Sequence, residues 1–288
     1  MPGKQRLTEE FLKLVLIDSV SGNERAIADV LIEKLEYLGL EVYEDEAGVK
    51  TGTTAGNIIA KLAGKNDAPV IMFCAHMDTV SPGEGILPVI RDGTVYSGGD
   101  TILGSDDKAG IAVILETLRL ISESSPIHGG LEVVFTIKEE VGLLGAKNID
   151  RDRLEAKMGF VLDSDGDPGV IVIRGPSQDK VDAVVVGKAA HAGINPEDGV
   201  DALQVAAHAI CGMRLGRIDE ETTANVGMIS GGNAVNIVPE KVVLRGEARS
   251  LADDKRTAQT EHMCKVYRET AKRFGAKVEL DVETIYPG

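Results

Sequence analysis

Tryptophan is absent, and aromatic residues of all kinds make up only 3% of the 288-residue chain. A base-stacking surface for single-stranded nucleic acid has little to be built from. Basic charge is short as well: 31 Lys and Arg stand against 46 Asp and Glu, for a net charge of −15. No basic face is left to neutralise phosphates, so a nucleic-acid partner is not expected. The three cysteines, Cys74, Cys211 and Cys264, are odd in number, far apart and without CxxC spacing. They argue against a disulfide framework or a zinc knuckle and for thiols in a reducing compartment. No apolar run is long enough to cross a bilayer, and the opening MPGKQRLTEE has no signal-peptide core. The chain is therefore expected in the cytoplasm, without a membrane partner.

What the sequence does have is an ordinary globular balance, 43% hydrophobic and 27% charged, in a length that allows one large or two ordinary cores. Apolar residues recur at helical spacing over Phe11–Leu16 and again over Ile27–Leu38, with Ser21-Gly22-Asn23-Glu24 between them as a break and cap and Gly39 as a stop. Strand-like runs at 57–62, 70–75, 131–137 and 159–162 then alternate with a helix at 106–121, and Arg91-Asp92-Gly93-Thr94 reads as a hairpin turn. The alternation predicts an α/β domain with a mostly parallel sheet, over residues 1–175. From residue 176 to 288 the order becomes β-α-β-β-α-β, which predicts a separate ferredoxin-like α+β domain.

The acidic and histidine residues fall in a pattern on that reading. His76 and Asp78 follow the 70–75 strand, Glu139 and Glu140 the 131–137 strand, and Asp163 and Asp165 the 159–162 strand, while Asp106 and Asp107 open a helix. In an open parallel sheet the carboxyl ends of strands and the starts of helices share one edge. One imidazole and several carboxylates on one rim repel unless cations neutralise them. Taken singly, a histidine at a strand end is usually structural, an Asp-Asp pair usually serves a helix dipole, and a Glu-Glu pair is usually solvated. Their joint placement points to a metal site, with Zn²⁺ fitting the donor types and Mn²⁺ or Co²⁺ as alternatives. Asp78, two residues beyond His76, is placed to orient the imidazole or to tune a neighbouring base.

Four segments carry a resemblance: FCAHMDTVSPG (73–83), YSGGDTILGSDDKAGIAVILE (96–116), FTIKEEVGLLGAKNI (135–149) and GKAAHAGINPEDGVDA (187–202). In order along the whole chain, they resemble the dinuclear zinc peptidase and amidohydrolase family of peptidase T, aminoacylase, acetylornithine deacetylase and carboxypeptidase G. TILGSDDKAGIA and FVLDSDG are most similar to peptidase T-like members. The resemblance implies a zinc-exopeptidase-like catalytic domain and a lid or dimerisation domain. It makes His76 and Asp163 ligands of one zinc, Asp106 the bridge and Glu140 a ligand of the second zinc. Glu139 becomes the general base for the attacking water, supported by Asp78. In the second domain it makes His191 the group that polarises the scissile carbonyl, often in a partner subunit's site, and Asn236 and Arg249 grips on the substrate.

The family also supplies a last zinc-binding histidine from a segment after the lid. Here the sequence stops at Ile285-Tyr286-Pro287-Gly288, and none of His128, His191, His208 and His262 lies in the glycine-rich motif that carries it. One ion or none is therefore expected, with little turnover. The expected activity is hydrolysis of small peptides at the N-terminal residue, in a homodimer formed through the lid. An N-acyl amino acid deacylase uses the same site, and an inactive metal-binding or dimerisation module is the reading of another class. A serine hydrolase is disfavoured, since no GxSxG elbow is present.

Overall fold

Every residue of the strand Leu131–Thr136 is buried, as its sequence LEVVFT suggests for the centre of a sheet. The structure, a computed structural model, describes residues 2–164 and 166–286, and the chain divides into two compact units, Met1–Pro168 and Gly169–Gly288. In the first unit the elements run α1 (Pro2–Val15), α2 (Arg25–Tyr37), β1 (Glu41–Glu44), α3 (Ala47–Thr51), β2 (Ile58–Leu62) and β3 (Ile71–His76). They continue with β4 (Pro88–Arg91), β5 (Thr94–Ser97), α4 (Ser105–Ser124), β6 (Leu131–Thr136), α5 (Leu144–Lys147) and β7 (Met158–Val161).

The main sheet has the order β1-β2-β6-β3-β7. β3 runs parallel to β6 and to β7, whereas β1 with β2 and β2 with β6 are antiparallel. The sheet is therefore mixed, not mostly parallel. Parallel neighbours need a long crossover, which α4 provides between β3 and β6; β2, reached from β1 through α3, runs opposite to both its neighbours, β1 and β6. The β4–β5 hairpin turns on Asp92 (φ 50°) and Gly93 (φ 79°), both left-handed, the geometry that matches strand twist and favours Asp-Gly. Leu14 of α1, Ile27, Leu31 and Leu35 of α2, and Ile111, Leu115 and Leu118 of α4 pack with Ile58, Val133 and Phe135 in one core.

The expected cap at Ser21–Glu24 does not form as such: Glu24 occupies the N-cap position of α2 but makes no side-chain bond to the helix. Nor do Asp106 and Asp107 open a regular helix. They lie within α4 but have non-helical angles (φ −84°, ψ 110° and φ −113°, ψ 32°). Asp165 lies outside the described residues.

The second unit comprises β8 (Ser177–Val186), α6 (Ala202–Gly212), β9 (Gly216–Arg217), β10 (Thr222–Gly231), β11 (Lys241–Ser250), α7 (Asp253–Phe274) and β12 (Lys277–Tyr286). Its strands pair antiparallel in the order β12-β8-β11-β10-β9, the ferredoxin-like arrangement with a fifth, two-residue strand added at the edge. β8 alternates buried and half-buried residues, and Val181, Ala183 and Val185 face Met263 and Tyr267 of α7 in a second core.

Asp179 on β8 ties this unit together. Its buried carboxylate accepts from Thr260 Oγ1 of α7 (2.8 Å) and Thr284 Oγ1 of β12 (2.7 Å) and pairs with Arg256 Nε at 3.3 Å. Removing one partner of a buried pair leaves the other charge uncompensated. Asp179→Ala is expected to lower the unfolding free energy of this unit by about 3–5 kcal/mol, read by urea denaturation, with Asp179→Asn milder. A loss below about 1 kcal/mol, the worth of an exposed pair, would contradict this role.

Candidate metal centre

Because β3, β6 and β7 are parallel, their carboxyl ends share one edge. His76 is the last residue of β3; Glu139 and Glu140 lie just beyond β6; Asp163 lies two residues beyond β7; Asp106 stands at the start of α4. Donor atoms of His76, Asp106 and Glu140 lie within 4.8 Å of one another, and so do those of His76, Glu139 and Asp163. The two groups share the buried His76, and one member of each, Asp106 and Asp163, lines a cleft of about 310 Å³ with Ser105, Asp107, Ala109, Leu162 and Ser164.

The imidazole is fixed from behind. Nδ1 lies 2.8 Å from the backbone carbonyl of Asp78, which can only accept, so Nδ1 carries the proton and Nε2 faces the rim, 2.9 Å from Asp106 Oδ1. The orienting group is thus mainly the Asp78 carbonyl; its carboxylate is 3.5 Å from Nδ1 and engaged elsewhere. Asp78 Oδ1 accepts from the Glu139 amide (2.9 Å), and Oδ2 from Ser21 Oγ (2.6 Å) and the Glu140 amide (3.2 Å). Burial alone would raise the Asp78 pKa, but His76, Ser21 and the Glu139 amide hold it below its ordinary value.

Asp106 and Asp107, joined by a cis peptide, point in different directions. The Asp106 side chain is 67% exposed and reaches His76, whereas Asp107 is buried, its Oδ1 accepting from the Gly110 amide (3.1 Å) and its Oδ2 from the His76 amide (3.4 Å). A side chain at Gly110 would strike that carboxylate and the Leu162 carbonyl. Asp107 is the residue that the sequence pattern under-read: two adjacent acids give no sign of which one turns inward.

The electrostatics test whether a cation fits. Burial pushes Asp107 up to about 8, with Asp163 adding and His76 opposing. Glu139 is raised by burial, against His76, with Asp163 and Glu140 adding to it. Glu140 and Asp163 are raised chiefly by burial too, again against His76, with Asp106 contributing to both. His76 is lowered by burial but lifted further by Asp78 and Asp106, to about 10. Acids whose pKa values are raised by burial and by one another, around an imidazole whose Nε2 faces them, are a donor set whose repulsion a divalent cation relieves. The residues fit a metal.

The remaining expected residues lie in the second unit. His191 and Asn236 come together: the Ala192 amide donates to the Asn236 carbonyl (3.0 Å), and His191 bridges to Ile237. His191 Nδ1 accepts from the Gly193 amide (3.2 Å), which leaves the proton on Nε2. Arg249 is not with them. It lies near the far end of β11, eight residues beyond Lys241 and about 27 Å along the strand at ~3.4 Å per residue. There it is clasped by Glu247 through Nε (3.2 Å) and Nη2 (3.0 Å).

Fold and donor set together define a metallopeptidase, and the comparisons with known proteins agree. Residues 57–193 match the model of peptidase family M28, and residues 176–274 match the peptidase dimerisation domain. The aminopeptidase PepT of Bacillus cereus superposes with a TM-score of 0.92 at 48% identity, over 99% of this chain and 76% of that one. A tripeptidase of Staphylococcus aureus superposes at 0.96 with 43% identity and the same coverage. An uncharacterised Bacillus subtilis protein, YqjE, is 46% identical over the whole chain, which spans 78% of its length. Peptidase T proteins of Escherichia coli match at 30% identity over 70% of the chain, which spans 58% of theirs. The chain belongs to the peptidase T family.

The raised acids set a pH dependence. Their folded values exceed the unfolded ones near 4, so as pH rises from about 4 they ionise first in the unfolded chain. Stability falls until pH passes the Asp107 value of about 8. His76 adds to the trend: its stabilisation is full below about 6.5 and is lost as pH rises through about 10. A cation reverses this loss. At one fixed concentration, 100 times the Kd at pH 8, Zn²⁺ or Mn²⁺ is expected to raise the midpoint of the first unit by about 5–10 °C at pH 8, and by less at pH 5. No shift at pH 8, or a larger one at pH 5, in a calorimetric scan would contradict the assignment.

Proposed function

We propose that this protein is a metal-dependent exopeptidase that removes the N-terminal residue from short peptides, tripeptides foremost, as the names of its PepT and tripeptidase relatives suggest. The observation that carries the reading is Glu139: a half-buried carboxyl with a raised pKa, within 4.8 Å of the donor atoms of His76 and Asp163. A base poised nearer neutrality than an ordinary glutamate is suited to take a proton from water and give it to a leaving amine.

His76, Asp106, Glu140 and Asp163 would hold the ions, two Zn²⁺ in the full family set, with Mn²⁺ or Co²⁺ accepted by the same donors. When bound, such an ion supplies Lewis-acid polarisation of the scissile carbonyl and a more acidic water. The chain's own residues do the rest. Asp78 holds the amides of Glu139 and Glu140 in place, and its carbonyl fixes the His76 ring. Glu139 moves the proton. His191, with Nε2 as its donor, is suited to meet the developing oxyanion, and Asn236 and Arg249 to hold the peptide backbone or terminus.

The distance along β11 between the His191–Asn236 corner and Arg249 argues that one copy does not offer all three to one substrate. We therefore favour a homodimer through the second unit, consistent with the match to a peptidase dimerisation domain, with His191 serving the site of the other copy. Among the described residues no helix is long and apolar enough to cross a membrane, and we assign the enzyme to the cytoplasm.

The test is hydrolysis of tripeptides against N-acetyl amino acids by the metal-loaded protein. Tripeptides should be cleaved with the higher kcat/KM, and Glu139→Gln should lose about 10²–10⁴ in rate while keeping its metal. A preference for acetylated amino acids would make it a deacylase. Wild-type turnover in Glu139→Gln would remove Glu139 from the chemistry.

A further inference from the structure

Glu24 has no part in the donor set, yet its side chain is completely buried. It stands at the N-cap of α2 without capping it, so its carboxylate is directed elsewhere. Oε1 accepts from the amides of Gly22 (2.9 Å) and Lys138 (3.2 Å), and Oε2 from the Thr53 hydroxyl (2.8 Å). The next two amides after Lys138 go to Asp78, which Ser21 also holds. Three consecutive amides, those of Lys138, Glu139 and Glu140, are therefore fixed by two buried carboxylates, and the loop 21–24 supports both. Lys138 itself has φ 49°, a left-handed conformation that a lysine keeps only when its surroundings impose it. Its ammonium is tethered as well, to the Thr51 carbonyl at 2.8 Å.

We propose that Glu24 is a positioning residue for the Glu139–Glu140 pair: its carboxylate fixes the turn at Lys138, so that both acids present their oxygens to the Nε2 side of His76. This role rests on the peptidase reading for its effect on rate, but not for its effect on structure. Glu24 does not touch the donor atoms; it acts through the backbone of the segment that carries them.

Two variants separate positioning from mere filling of space. Glu24→Gln keeps an acceptor for both amides, and its NH₂ can donate to Thr53 Oγ1, whose hydroxyl can turn to the Gly22 carbonyl at 3.1 Å. Glu24→Leu fills the volume without an acceptor. In the metal-free protein, Glu24→Leu should speed hydrogen exchange at the amides of 138–140 at least ~10-fold, with β3 and β6 unchanged. In the metal-loaded protein it should lower kcat about 10–100-fold, with KM within about 3-fold, because small misplacements of a base are costly. Glu24→Gln should stay within about 3-fold on both measures.

If Glu24→Leu does not fold, Thr53→Val, which removes only the hydroxyl on Oε2, should speed the same amides by about 3-fold. Unchanged exchange in both variants, or equal losses in Glu24→Gln and Glu24→Leu, would overturn the proposal. Loosened amides in a protein whose wild type cleaves no peptide would leave the positioning role standing and sink the peptidase reading instead.

Discussion

Repulsion among carboxylates crowded at the ends of β3, β6 and β7 is the constraint on which the rest of the first unit depends. Acids raised above their ordinary values by burial and by one another do not gather at an edge unless something compensates them. Part of the compensation is built in. The Asp78 carboxylate is held by a hydroxyl and two amides, Asp107 by two amides, and His76 is held as a cation between Asp78 and Asp106 when no metal is bound. Glu139, Glu140 and Asp163 remain on the outward side with Asp106, which pairs with His76, a set whose repulsion a divalent cation would relieve.

The sheet makes this possible by direction. Parallel neighbours deliver their carboxyl ends to one side, so three strands bring a histidine and several acids to one edge without any loop having to travel far. The antiparallel half, β1 and β2, carries none of these donors and supplies core. Rigid strand ends hold side chains more narrowly than loops do, which suits a centre whose donors must stay within a few ångströms of one another.

Much of this was legible in the sequence, because apolar runs that stop at a histidine or an acid mark where strands deliver side chains. His76, Glu139, Glu140 and Asp163 were readable on that ground, as was the ferredoxin-like order of the second unit, whose helix Asp253–Phe274 carries Asp253 and Asp254 in its first turn and Lys272 and Arg273 in its last. Three things were not legible. The antiparallel half escaped because β1, with the sequence EVYE, has no apolar run to announce it, and the apolar run of β2 marks a strand but not its direction. The inward turn of Asp107 depends on the room left by Gly110 and on the His76 amide, a contact 31 residues apart in sequence. The separation of Arg249 from His191 follows from strand length and sheet order, which motif matching does not encode.

The most direct test is anomalous diffraction from crystals of this protein grown with Zn²⁺. The account predicts a peak bonded to His76 Nε2 at about 2.0–2.1 Å, with carboxylate oxygens of Asp106, Glu140 or Asp163 completing the shell at about 2.0–2.2 Å. Density for zinc only at other residues, with the His76 ring still paired to Asp106 alone, would contradict it.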